Sequence, residues 1–367
     1  MKILAFCKKN AVLCTAVLAA AVTAFFVPPD ARYLTYFDFK TLTCLFCVLA
    51  VVCALKNIRF FTILARKIVE SFRTLRFTVL ALVFITFLGS MFIANDMALL
   101  TFLPLGYLVL TETGQQKYMA FTFIMQNIAA NLGGMLTPFG NPQNLYLYTK
   151  FSIPTGEFMK IMLPPFLLAV ALITLCCLFL PGSRLALESQ PLKLNRKRTC
   201  LYLALFVLAI AIVFRGLPYY VGLLVIPAVL FFVDRNALRR VDYPLLLTFA
   251  AFFVFAGNMA RIPAVRDLFQ FLLQKNTLLF SILSCQCISN VPSAILLSQF
   301  TADYAPLLVG VNIGGTGTLI ASLASLITFR EYTSHNPTKA GSYLVLFSLF
   351  NFGFLIILTV FQLVFFA

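Results

Sequence analysis

Long stretches of this chain carry no charge, and that constrains its fold more than any motif does. Runs without Asp, Glu, Lys or Arg cover 10–29, 41–55, 77–95, 97–111, 118–149, 161–183, 199–214, 216–233, 243–260, 276–302, 304–329 and 340–367. A bilayer-crossing helix needs ~20 mostly apolar residues, and most of these runs qualify. Only 11% of the 367 residues are charged, against roughly 25% in a soluble domain. A soluble enzyme, a secreted disulfide scaffold and a nucleic-acid-binding domain are all excluded. The expected fold is an all-α polytopic membrane protein of about eleven spans, counting broken ones.

The net charge of +16 reads as topology, because basic residues in short loops set orientation. With the N-terminus inside, twenty Lys and Arg fall on the cytoplasmic side, including Lys2, Lys8 and Lys9, six over 56–76 and five over 184–198. Eight fall outside: Arg32, Lys40, Lys150, Lys160, Arg215, Arg261, Arg266 and Lys275. The expected location is a bacterial inner (plasma) membrane with the N-terminus cytoplasmic.

The sequence repeats itself. Asn131-Leu-Gly-Gly-Met-Leu-Thr137 matches Asn312-Ile-Gly-Gly-Thr-Gly-Thr318 at an offset of 181, and Asn95 matches Asn290 at 195. Asp30 and Asp38 match Asp234 and Asp242 at 204. The expected units are a first repeat over 10–181, a linker with one extra helix over 182–215, and a second repeat over 216–366. The extra span, 199–214, turns the second copy upside down, as in many secondary transporters.

Each half contains two breaks. Ala94-Asn95-Asp96 separates the apolar arms 77–94 and 97–111, and Ser289-Asn290-Val291-Pro292 separates 276–288 and 293–302. The arms of the second pair are too short to span the bilayer, so a re-entrant hairpin is expected, with a symmetry-related one in the first half. The second break is Gly-rich: Gly133, Gly134 and Gly140 around Asn131, Thr137 and Asn141, then Gly314, Gly315 and Gly317 around Asn312, Thr316 and Thr318. Unwound backbone at membrane depth belongs where it is buried or lines a wet cavity. Its free carbonyls suit sodium, and half-helix N-termini suit an anion.

Two hairpin tips and two unwound segments therefore converge. The candidate binding residues are Asn95, Asp96, Asn131, Thr137, Asn141, Ser289, Asn290, Asn312, Thr316 and Thr318. Small polar residues that merely glue helices are the simpler alternative. Asp96 is the one acid placed at a hairpin tip; an intramembrane carboxylate is a functional candidate by default, and capping backbone N–H groups is its other possible duty. Cys44-x-x-Cys47 lies in an apolar run and reads as filler; His335 reads as a loop residue. No catalytic residue, cofactor or metal is expected beyond a bound sodium ion. An intramembrane enzyme would need a cluster of ionisable groups at membrane depth, and a channel would conduct passively.

These residues resemble the ion transporter superfamily, which includes divalent-anion/sodium symporters, citrate transporters, arsenite permeases and sodium/proton antiporters. The likeness is best over Asn131–Asn144 (NLGGMLTPFGNPQN), Ser289–Ser298 and Asn312–Ser322. It implies an elevator-type permease that moves a small anion, coupled to sodium or protons and often dimeric. The carboxylate branch carries Ser-Asn-Thr at both tips; this chain has Ala94-Asn95-Asp96 and Ser289-Asn290-Val291. A sodium/proton antiporter that uses Asp96 is the alternative in the same fold.

Overall fold

A computed structural model describes residues 10–185 and 194–365. The basic residues Lys2, Lys8 and Lys9, part of the 182–215 linker and residue 366 lie outside the described residues.

The chain is helical throughout its described length. The first half runs α1 (Ala11–Phe26), α2 (Phe39–Asn57), α3 (Phe60–Glu70), α4 (Leu75–Ile93), α5 (Asn95–Glu112), α6 (Met119–Gly133), α7 (Pro142–Lys150) and α8 (Thr155–Leu178). Helix α9 (Arg196–Val213) follows. The second half runs α10 (Tyr219–Val233), a short α11 (Arg235–Arg239), α12 (Tyr243–Arg261), α13 (Pro263–Lys275), α14 (Thr277–Ile288), α15 (Asn290–Leu297), α16 (Tyr304–Ile313), α17 (Leu323–His335) and α18 (Ala340–Phe365). A 3-10 turn over Ala31–Tyr36 occupies in the first half the place of α11 in the second.

Five stretches among the described residues have the length and apolarity of a membrane crossing: Phe39–Asn57, Leu75–Ile93, Thr155–Leu178, Tyr243–Arg261 and Pro337–Phe365. Together with the shorter apolar helices they make this an all-α polytopic membrane protein. Helices α3 and α13 differ, for each is short and buries few side chains: Ile63, Ala65 and Val69 on α3, and Leu273 on α13. Such helices suit the membrane surface rather than its interior.

The four repeated aspartates have a common local explanation. Asp38 accepts from the backbone N–H of Thr41 at 2.9 Å and Asp242 from that of Leu245 at 3.0 Å, opening α2 and α12. Asp30 and Asp234 do the same for Arg32 and Ala237, both at 3.1 Å. Each satisfies an N–H that the helix start leaves without a partner. Two of them also reach across the molecule. Arg261, at the end of α12, clamps Asp30 at 2.8 Å, and Asn57, at the end of α2, donates to Asp234 at 3.1 Å. Both contacts connect positions that the same 204-residue offset exchanges.

The helices pack in neighbouring sets that also touch one another. Helix α1 lies along α12, and α2 contacts α9 and α10. Hairpin α4–α5 packs on α6, hairpin α14–α15 packs on α16, α15 also touches α7 and α12, and α17 lies against α5 and α6.

Three details differ from the sequence reading. Each hairpin turns on a single residue, Ala94 or Ser289, because Asn95 and Asn290 already belong to the following helices. Pro292 therefore sits in the first turn of α15, where its missing N–H is not needed. The arms of the first hairpin are 19 and 18 residues long and those of the second 12 and 8. His335 is not in a loop: it ends α17, its ring stacked 3.7 Å from that of Tyr107 and its Nε2 3.5 Å from Glu331.

Candidate functional site

Both hairpin tips adopt a backbone that favours glycine, yet neither is glycine. Ala94 has φ 62°, ψ 152° and Ser289 has φ 75°, ψ 158°, a conformation that costs roughly 1–3 kcal/mol. The next residue stabilises each tip. Asn95 Oδ1 accepts the N–H of Asp96 at 3.0 Å, and Asn290 Oδ1 accepts that of Val291 at 2.9 Å. The capping acceptor at the first tip is thus Asn95, which leaves the Asp96 carboxylate free of that duty.

Helix α6 stops at Gly133 and resumes as α7 at Pro142; α16 stops at Ile313 and resumes as α17 at Leu323. Gly133 lets α6 meet α4 closely, since a β-carbon there would collide with the carbonyl of Phe87. The two unwound segments are cross-linked at the centre. Ser322 Oγ donates to Asn131 Oδ1 at 2.8 Å, and Asn141 Nδ2 donates to Asn312 Oδ1 at 3.3 Å. Under the 181-residue offset these two bonds exchange places. Asn95 Nδ2 adds a bond to Asn131 Oδ1 at 3.1 Å, joining the first tip to the cross-link.

Several of the carbonyls that the sequence leaves free for a cation are occupied. Asn144 Nδ2 lies 3.2 Å from the carbonyls of Gly134 and Met135 and 3.3 Å from that of Thr137. Gln286 Nε2 lies 2.9 Å from the carbonyl of Gly314 and 3.1 Å from that of Thr316. Buried carbonyls need partners, and here the partners are side-chain amides.

A cavity of about 440 Å³ opens between the tips and the helix pair α1/α12. Asn95, Asp96, Ser289, Asn290 and Ser322 line it on one side, and Thr15 and Thr248 on the other. Most of its remaining wall is apolar, and none of its lining residues is Lys or Arg. The positive ends of α5 and α15 meet here. Asp96 Oδ1 is buried and has no hydrogen-bond partner among the described residues, and the same holds for Asn131 Nδ2, Asn141 Oδ1 and Gln143 Oε1 close behind it.

Of the residues singled out from the sequence, Asn95, Asp96, Ser289 and Asn290 therefore line the cavity, and Asn131, Asn141 and Asn312 stand behind them. Thr137, Thr316 and Thr318 do not line it. Thr137 Oγ1 donates to the carbonyl of Met91, Thr318 Oγ1 to that of Gln286 and Thr316 Oγ1 to that of Ile313. Gln286 escaped sequence reasoning, although an amide deep inside the apolar arm 276–288 is the kind of signal that could have flagged it. Cys44 and Cys47 are buried on α2 as free thiols.

Two hairpins and two broken helices border one cavity in a polytopic helical protein, an arrangement that suits a membrane transporter. The chain belongs to the citrate transporter family, whose model matches residues 3–309. It is 31% identical over 334 residues to an uncharacterized transporter, MJ0456, of Methanocaldococcus jannaschii, covering 89% of this chain and 90% of that one. It is likewise 31% identical over 283 residues to the inner membrane protein YbiR of Escherichia coli, covering 74% of each.

Proposed function

We propose that this protein is a secondary transporter that carries a small anion, a carboxylate or an inorganic oxyanion, across the membrane together with protons. The observation that carries the reading is Asp96, whose unpartnered carboxyl oxygen is buried at the cavity between two hairpin tips. A charged carboxylate beside an anion repels it, and no lining Lys or Arg offsets that repulsion. The anion binds when Asp96 is protonated, and the two move together. Asn95, Ser289 and Asn290, with Asn131, Asn141 and Asn312 behind them, hold the substrate through neutral donors. The amides seated on the carbonyls of Gly134, Met135, Thr137, Gly314 and Thr316 support protons over sodium as the coupling ion.

In this reading the two halves are inverted copies, and the reciprocal contacts Asp30–Arg261 and Asp234–Asn57 support that relation. The hairpins and broken helices move past the α1/α12 scaffold as an elevator, in a homodimer of the plasma membrane with the N-terminus in the cytoplasm. The family's description supports transport of a small carboxylate, and the inner-membrane relative supports the plasma membrane as its place.

The test is uptake by proteoliposomes of radiolabelled citrate, succinate, phosphate and arsenite under imposed proton or sodium gradients. Uptake should follow the proton gradient, and in Asp96→Asn, which holds this side chain neutral, anion binding should persist while proton-driven accumulation disappears. Uptake indifferent to both gradients would sink the coupling. Sodium-for-proton exchange with no anion present would replace the reading with that of an antiporter.

A further inference from the structure

The second unwound segment is built like a cation cage, yet a side chain of the protein already sits in it. Gln286 projects from hairpin arm α14 into the turn formed by residues 314–318. Its Nε2 lies 2.9 Å from the carbonyl of Gly314, 3.1 Å from that of Thr316 and 3.3 Å from that of Ile282. Its Oε1 accepts the backbone N–H of Thr318 at 2.9 Å. Because a backbone N–H can only donate, that bond fixes which way the amide faces.

The seat is shaped to the amide. Gly317 has φ +112°, and a β-carbon there would collide with Gln286 Oε1. Thr318 Oγ1 returns a bond to the carbonyl of Gln286 at 3.2 Å. The first half solves the same problem from elsewhere. Under the 195-residue offset Met91 holds the place of Gln286, and under the 181-residue offset Ser325 holds that of Asn144. Each half thus supplies one amide to its unwound carbonyls, and the element that supplies it has switched.

We propose that Gln286 is a built-in, uncharged occupant of this cage, which makes the second half of the site refractory to sodium and other small cations. An amide NH₂ offers two protons to the carbonyl oxygens that a hard cation would otherwise collect. This specificity role rests on the reading of the chain as an ion-coupled transporter, but cation binding can be measured without transport.

The experiment is thermal unfolding of the purified full-length protein in detergent, in sodium chloride against choline chloride at equal ionic strength. A ligand that binds only the folded state raises the melting midpoint. Gln286→Ser empties the cage while leaving its carbonyls, and Gln286→Glu replaces the donor with an anionic ligand. Both variants should show a sodium-minus-choline shift of several degrees more than the wild type, whereas Gln286→Met, which keeps the bulk, should match the wild type. Should Gln286→Glu fail to fold, Gln286→Ser decides alone. A Gln286→Ser shift no larger than that of the wild type overturns the proposal and makes Gln286 a purely structural strut. So does a wild-type sodium shift that Gln286→Met removes, because the amide oxygen would then be a ligand. Either result leaves proton-driven uptake, and so the transport reading, untouched.

Discussion

Asn95 and Asn290 cap their hairpin arms in the same way, yet Asp96 follows the first and Val291 the second. The two tips share a strained backbone and an asparagine, and differ in the only ionisable group at either tip. The backbone of the two tips is thus alike and their chemistry is not. The sharpest way to break the comparison is to move the acid. Asp96→Val should lower proton-driven uptake by at least roughly tenfold, about 1.4 kcal/mol of coupling, in proteoliposomes under an imposed pH gradient. Adding Val291→Asp to that variant should restore part of the flux, because the same cap holds position 291 at the same cavity. No recovery would mean that the tips share a backbone but not a role.

The unwound segments differ in a second way, which Gly317 exposes. The 181-residue offset puts Leu136 at the corresponding place in the first half, where no amide arrives from the hairpin arm. Gly317→Ala should therefore cost about 1–3 kcal/mol for backbone strain, plus the displacement of Gln286, read as a lower melting midpoint. Gln286→Ser in the same chain should recover only the collision and leave the strain.

The cross-link at the centre predicts smaller effects. Asn141→Ala removes the donor to Asn312 Oδ1 and also leaves the carbonyl of Asn131, which Asn141 caps at 3.2 Å, without that bond. Ser322→Ala leaves Asn131 Oδ1 with its bond from Asn95, and also removes the acceptor that caps the Ala324 N–H at the start of α17. A buried group stranded without a partner costs about 1–3 kcal/mol, so Asn141→Ala should lower the melting midpoint more than Ser322→Ala does.

Charge-free runs and glycine clusters were enough to read helices, hairpins and broken helices, because the bilayer forbids unpaired backbone and leaves few alternatives. Asn95, Asp96, Ser289 and Asn290 were legible for the same reason: polar residues stand out against apolar arms. Which partner each polar group finds was not legible. Thr137 and Thr318 sat in matching motifs and were expected to bind ligand; the hydroxyls of both donate to hairpin-arm carbonyls, contacts that the motifs do not reveal. Gln286 went unnoticed because the repeat search rewards identity, and its equivalent is Met91. A compensating swap between Asn144 and Gln286 leaves no trace in pairwise matching.

The reciprocal end contacts give the mildest test of the two halves. Arg261 holds Asp30 in a bidentate pair, while Asn57 holds Asp234 through an uncharged amide. The guanidinium hydrogen bond keeps the Asp30 carboxyl below the usual carboxylate range. A carboxyl depressed in the folded state stabilises the protein above its unfolded value of about 3.9 and loses that contribution as pH falls through the folded value. The melting-midpoint difference between wild type and Asp30→Asn should therefore be present at pH 7 and shrink as pH falls below about 4. It should also shrink in high salt, since the pair is exposed and screened. A difference that survived acid and salt unchanged would show that shape and hydrogen bonding, as at Asn57, hold this end together and that its charge is incidental.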